Sequence, residues 1–219
     1  MNLLNTKVLK LKLKDTSTKL IKERIKRSEV ISRTADGINE VVVYWGLDEM
    51  TELNNILNLN KNLPSPITRD YKWAGLYEPF DHQRITSEFL SINERAFCFN
   101  EAGTGKTSSA LWAADYLMNE GKVKRVLIIC PLSIMYSAWQ GDIFNTCMHR
   151  TSQVCHGSAD KRRTIINSNC DFVIINYDGV AIIKEDIRKI DFDLIIVDEA
   201  NAYKSTTTSR WKTLSKIVK

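Results

Sequence analysis

With 219 residues, 43% of them hydrophobic and 26% charged, the chain has material for a sizeable core and is not disordered as a whole. No apolar run approaches the roughly 20 residues of a membrane helix, and the start Met1-Asn2-Leu3-Leu4 lacks the charged-then-apolar order of a secretory signal. Neither membrane nor export is therefore expected, and the net charge of +5 divides into +7 on residues 1–33 and −2 on the rest, which fits an anionic partner such as nucleic acid or, equally well, a solvated lysine-rich face.

Val8 to Lys14 alternates apolar and basic residues with period two, which predicts a strand with one buried and one charged face. A short polar helix is expected from Ser17 to about Arg27. Two β-rich runs, Ser28–Thr34 and Asn39–Trp45, are joined through Asp36-Gly37, a hairpin signal. Leu47, Met50, Leu53, Ile56 and Leu57 then fall at helical spacing. Residues 1–63 thus predict a small basic β-α-β-β-α unit, and Leu63-Pro64-Ser65-Pro66 begins an expected stiff linker over 64–75. Whether the unit binds nucleic acid or is a plain structural addition stays open.

From residue 76 the texture changes. Apolar runs at Arg95–Phe99, Arg125–Cys130, Gln153–His156, Phe172–Ile175 and Leu194–Val197 alternate with helix candidates near 107–119, 133–145, 159–168 and 178–189. Fully apolar strands separated by helices predict a parallel sheet covered on both faces, an α/β domain over 76–219. The five cysteines form no Cys-x-x-Cys pair and sit mostly in apolar runs, as buried reduced thiols do. His82, His149 and His156 are too far apart in sequence to form a metal site and are expected at the surface. Trp112 and Trp139 fall at helical positions that favour the core, and Lys161-Arg162-Arg163 reads as a solvated helix face.

The sharpest signal is Phe97-Cys98-Phe99-Asn100-Glu101-Ala102-Gly103-Thr104-Gly105-Lys106-Thr107. An apolar run leads into a small-residue loop, and a helix opens at Lys106-Thr107. Glycines let successive backbone N–H groups converge on one anion, and the new helix adds its unpaired amides and positive dipole end. Lys106 would neutralise the β- and γ-phosphates of a nucleotide, and the Thr107 hydroxyl would ligate Mg2+. Asn100 stands where the strict GxxxxGK[ST] pattern has glycine, and asparagine also tolerates left-handed backbone. Later, Leu194-Ile195-Ile196-Val197 ends in Asp198-Glu199. Carboxylates directly after four apolar residues need a cationic partner. At the C-terminal edge of a parallel sheet they would face the phosphate loop. Asp198 then suits Mg2+, directly or through water, and Glu199 suits polarising the attacking water.

Together these residues resemble the first RecA-like lobe of superfamily 2 helicases, specifically the Swi/Snf-type DNA translocases and their bacteriophage relatives, over about residues 76–219. Asn100–Thr107 is similar to that family's phosphate loop and Asp198-Glu199-Ala200 to its DExH box. The resemblance implies a parallel-sheet P-loop NTPase fold with ATP and Mg2+ as cofactors. Gly103, Thr104, Gly105, Lys106 and Thr107 would bind phosphate, and Thr107 and Asp198 would hold the metal. In Tyr77–Gln83, which resembles the adenine-reading element, Gln83 would hydrogen-bond the adenine edge and Phe80 would pack on the base. Pro131, Ser133 and Trp139, then Asn176 and Tyr177, and finally Lys204 match elements that lie on the DNA side.

Asn201 stands where the box usually has His. The chain ends at Lys219, before the elements of a second lobe, so a partner lobe in cis or in trans is expected and the fragment alone should bind nucleotide weakly and hydrolyse it poorly. The implied activity is that of an ATP-dependent DNA helicase or translocase acting on duplex or branched DNA in the cytoplasm, a host's if phage-encoded. A non-motor, nucleotide-sensing nucleic-acid-binding regulator is the alternative. A nucleotide kinase would need an arginine-bearing lid and a monophosphate site, and neither is found.

Overall fold

The computed structural model describes residues 2–5, 7–57 and 63–218. The chain divides into two compact units, residues 1–72 with 80–104, and residues 73–79 with 105–219.

In the first unit the alternating segment forms β2 (Val8–Lys14) in an antiparallel sheet with β1 (Asn2–Asn5), β3 (Ser28–Arg33) and β4 (Ile38–Tyr44), in the order β1-β2-β4-β3. The strand β1 was not expected. Helix α1 (Asp15–Arg24) lies against β2, β3, β4 and α2 (Leu47–Leu57). Leu9, Leu11, Val41 and Val43 are buried from the strands, with Ile21, Met50 and Leu53 from the helices, so period two and period 3.6 supply one core. On the other strand face Lys10 meets Glu40 at 2.8 Å and Lys12 reaches it at 3.9 Å. The hairpin turns as predicted, with Gly37 at φ +72° and the Thr34 amide donating to the Ile38 carbonyl.

The stretch expected as a linker is packed. It holds α3 (Ile67–Asp70); Leu63, Ser65, Ile67 and Tyr71 are buried, and the Ser65 hydroxyl lies 2.6 Å from that of Ser91 in α4 (Asp81–Ile92). The strand expected at Arg95–Phe99 is absent. These residues carry no regular structure, and Phe97 and Phe99 stack on each other with Phe99 88% exposed. Apolar composition makes a strand only where a ladder partner takes its backbone groups, and among the described residues none does so here.

The second unit contains α5 (Lys106–Asn119), β5 (Val126–Cys130), a 3-10 turn at Leu132–Ile134, a π-helix at Met135–Gln140 and α6 (Gly141–Thr146). It continues with β6 (Ser152–Cys155), α7 (Ala159–Ile166), β7 (Phe172–Asn176), α8 (Tyr177–Ile182), α9 (Lys184–Ile187), β8 (Leu194–Val197), a 3-10 turn at Ala200–Tyr203 and α10 (Ser209–Ile217). The four strands are parallel, in the order β6-β7-β5-β8. Alternate residues serve opposite cores. Val126, Ile128, Cys130, Phe172 and Ile174 pack with Leu111, Trp139 and Ile143, whereas Leu127, Ile129, Val173 and Ile175 pack with Ile166, Val180 and Ile183. That two-sided burial is why the strands read as unbroken apolar runs. The run at 194–197, expected to be buried, is the sheet's edge strand and is only half-buried.

Arg162 also departs from the expected solvated face. It is buried, donates to the Cys155 carbonyl at 2.5 Å, the Gly157 carbonyl at 3.0 Å and the Asn176 side chain at 3.3 Å, and so fastens the ends of β6 and β7. Arg163 pairs with Asp160 and Asp186. His149 lies 2.9 Å from the fully buried Asp115, which also accepts from Arg150 at 2.6 Å. A Cβ on the buried Gly179 would collide with the Arg162 guanidinium and the Asn176 side chain. Gly179→Ala is therefore expected to lower stability by about 1–3 kcal/mol, the usual cost of overpacking, in urea denaturation.

Candidate functional site

The first unit contains α4 and the loop residues as far as Thr104. Helix α4 starts at Asp81 with Phe80 as its N-cap, and the Phe80 amide donates to Gln83 Oε1 at 2.9 Å. The Gln83 Nε2 donates to the Thr104 carbonyl at 3.3 Å, and the His82 ring lies 3.0 Å from the same oxygen. The buried Gln83 amide thus fixes the helix start and the loop crest together. One hydrogen and one lone pair of that amide remain beyond these two bonds, enough for a base edge. Phe80 is 70% exposed, and its ring stacks on His82 at 5.7 Å. Farther along the helix, the Thr86 hydroxyl accepts from Asn100 Nδ2 at 2.8 Å. Asn100 is not left-handed, contrary to the conformational reason expected for it. Its side chain instead anchors the loop, which glycine would not do.

Within the loop the Thr104 hydroxyl donates to the Glu101 carbonyl at 2.8 Å, and Gly103 sits at φ +76° with nothing within 4 Å of an added Cβ. Backbone conformation rather than crowding requires glycine there. In the second unit Gly105, at φ +73°, is the N-cap of α5, whose first two residues are Lys106 and Thr107. A glycine cap offers no side-chain oxygen to the helix's opening amides, and a helix start of this kind suits an anion.

Asp198 follows directly on β8, and each of its oxygens is met. The Glu199 amide donates to Oδ1 at 2.8 Å and the Trp139 indole to Oδ2 at 2.9 Å, while the Tyr177 hydroxyl donates to the Asp198 carbonyl at 2.6 Å. Partners for the carboxylate were expected to be cationic, and neutral donors serve instead. Glu199 is exposed and holds φ +49°, one of only two positive-φ residues other than glycine among the described residues. That conformation costs a non-glycine residue about 1–2 kcal/mol.

Burial, followed by the Glu199 charge, raises the Tyr177 pKa, so its hydroxyl keeps its proton and remains a donor at neutral pH. The Cys130 thiol is pushed up to about 12 by burial, with Asp198 adding to the shift. The thiol is buried, as expected.

No group of three metal-ligating side chains occurs among the described residues. One carboxylate with a spare lone pair on each oxygen, and one threonine hydroxyl, fit an ion held mainly by phosphate and water, as Mg2+ is.

Of the expected nucleic-acid contacts, Ser133 and Lys204 are exposed, and Pro131 and Tyr177 are half-buried. Trp139 is 2% exposed and Asn176 is buried against Arg162, so neither side chain offers a surface to DNA. The indole-to-Asp198 bond joins residues 59 apart in sequence, and no periodicity announces it.

Residues 82–219 match the model of the SNF2-related domain, well over half of the chain, and the chain belongs to that family. It is 24% identical over 147 residues to YqhH of Bacillus subtilis, named as an uncharacterized ATP-dependent helicase, with 65% of this chain and 25% of the relative covered. It is 26% identical over 148 residues to the Drosophila melanogaster homolog of the SWI/SNF-related, matrix-associated, actin-dependent chromatin regulator of subfamily A containing DEAD/H box 1, covering 61% of this chain and 18% of that one. Among solved structures it is similar to the Sulfolobus solfataricus SWI2/SNF2 ATPase core in complex with dsDNA, with a TM-score of 0.54 and 22% identity over 66% of this chain and 32% of that one. The second unit's sheet and helices are those of the RecA-like lobe of such cores. The chain spans a quarter or less of the curated relatives and about a third of the solved core.

Gln83→Ala removes the bonds to Phe80 and Thr104. A stability loss of about 1–2 kcal/mol is expected, together with faster hydrogen exchange at the Phe80 amide, measured by denaturation and by exchange on the same sample.

Proposed function

We propose that this chain carries the first ATP-binding lobe of a DNA translocase or helicase. The observation that carries the reading is the turn from left-handed glycines into α5 at Lys106-Thr107, in a chain whose β8 ends in Asp198-Glu199. A polyphosphate would take the loop and helix amides, with the Lys106 ammonium on its β- and γ-oxygens. Thr107 and Asp198 would hold Mg2+, which supplies charge neutralisation across those oxygens when bound. Glu199 would orient the attacking water. Phe80 and Gln83 would take the base.

DNA is proposed as the partner, duplex or branched, with Pro131, Ser133, Tyr177 and Lys204 as its contacts. The SNF2 family match and the dsDNA bound to the Sulfolobus core support that choice. The reading includes a second RecA-like lobe, in cis or in trans, that brings arginine to the γ-phosphate. An arginine of that kind is worth about 10³–10⁵ in rate, so residues 1–219 without that lobe are expected to turn nucleotide over poorly. Residues 1–63 are proposed to add a nucleic-acid contact. Lys10 is engaged by Glu40, Lys22 by the Ser28 carbonyl and Arg24 by Glu52, whereas Lys12 reaches Glu40 only at 3.9 Å and, like Lys14, is exposed.

Lys106→Ala is expected to abolish nucleotide binding in calorimetry, and retained binding overturns the reading. Glu199→Gln is expected to keep binding and stop hydrolysis when the second lobe is supplied, and wild-type turnover would remove its assigned role. The double variant Lys12→Ala/Lys14→Ala should reduce the slope of log affinity for DNA against log salt by about 2, one for each phosphate that the protein no longer neutralises.

A further inference from the structure

A buried indole N–H needs an acceptor, and in this fold many backbone carbonyls would serve. Trp139 instead donates to a carboxylate at the end of the edge strand. Such charge-assisted bonds are about twice as strong as neutral ones. With the Glu199 amide on Oδ1 and the indole on Oδ2, rotation of the Asp198 carboxylate about its own axis is blocked from both sides. The indole is itself immobilised, being packed with Met135, Ile143 and Cys147.

Trp139 lies in the π-helix Met135–Gln140. Runs of π-helix make up well under 1% of residues, and they cluster at functional sites. One additional residue in a turn rotates everything after it by about 100°, the angle per residue of a helix. The wide turn here leaves Tyr136 and Ser137 exposed while Trp139 points inward.

We propose that Trp139 is a positioning residue for Asp198. Its indole sets the orientation in which the carboxylate receives Mg2+. The proposal rests on the nucleotide reading above but concerns a residue outside the loop and the acidic pair.

The test uses the full chain labelled with 15N at its tryptophans. Trp139→Phe identifies the Trp139 indole resonance by its disappearance. That resonance is expected downfield of the other four indoles and displaced in Asp198→Asn, where the acceptor is neutral. ADP with Mg2+ should shift it, and ADP with EDTA should not. In calorimetry Trp139→Phe should lower the Mg2+-dependent gain in ADP affinity about tenfold, the low end of what loss of a ligand-orienting partner costs, while EDTA-ADP binding is unchanged.

If Mg2+-ADP binds with heat yet leaves the Trp139 resonance unmoved, or if Trp139→Phe keeps the full Mg2+ gain, the proposal is overturned while the nucleotide reading stands. Should wild-type chain give no heat with Mg2+-ADP, both fall together. Where Trp139→Phe fails to fold, Asp198→Asn keeps the indole and decides the matter: a resonance indifferent to that change means the bond does not exist in solution.

Discussion

A carboxylate placed at the end of an apolar strand must be met by donors or it will not stay there, and the second unit is organised around meeting Asp198. Three separate elements converge on that residue. The π-helix brings the indole of Trp139, the start of α8 brings the Tyr177 hydroxyl, and the chain's own reversal at Glu199 brings a backbone amide. Each donor is costly to place. An indole is held in the core, a tyrosine is desolvated far enough to raise its pKa, and a glutamate adopts a left-handed backbone. Such costs collected at one carboxylate are typical of a site that has to be rigid before its ligand arrives.

Sequence patterns that come from one element at a time are legible, and features made by two elements are not. Period two in Val8–Lys14, the Asp-Gly hairpin and the apolar runs at 126–130 and 172–176 each carry their own signal, and the strands fall within a residue or two of the expected places. The run at 95–99 has the same apolar character but no ladder partner among the described residues, and local composition does not tell whether one exists. Helix content near 133–145 is visible, but its division into a 3-10 turn, a π-helix and α6 depends on packing against β6 and β7 rather than on propensity.

The candidate site shows the same division. Glycine spacing and the Lys-Thr pair announce the loop because the backbone itself makes the cradle. Helical spacing already favours the core for Trp139, whereas Asn176 falls in a motif that a reading along the chain assigns to the DNA side, and its burial belongs to the folded sheet. Arg162, in a run of three basic residues, has the pattern of a solvated face for the same reason. Its carbonyl partners lie at Cys155 and Gly157, and carbonyls leave no trace in side-chain patterns. Asn100 gives the opposite lesson: its departure from the glycine pattern acquires a reason only through Thr86, fourteen residues earlier.

Asp198 rides on β8, which has a neighbour on one side only among the described residues. Peripheral strands open at lower free energy than interior ones, because half of their amides have no ladder to break. The tethers from Trp139 and Tyr177 therefore act as guy-ropes for a mast standing at the margin. They supply from the side what a flanking strand would supply along the backbone, and slackening either would loosen the acidic pair long before the rest of the sheet noticed.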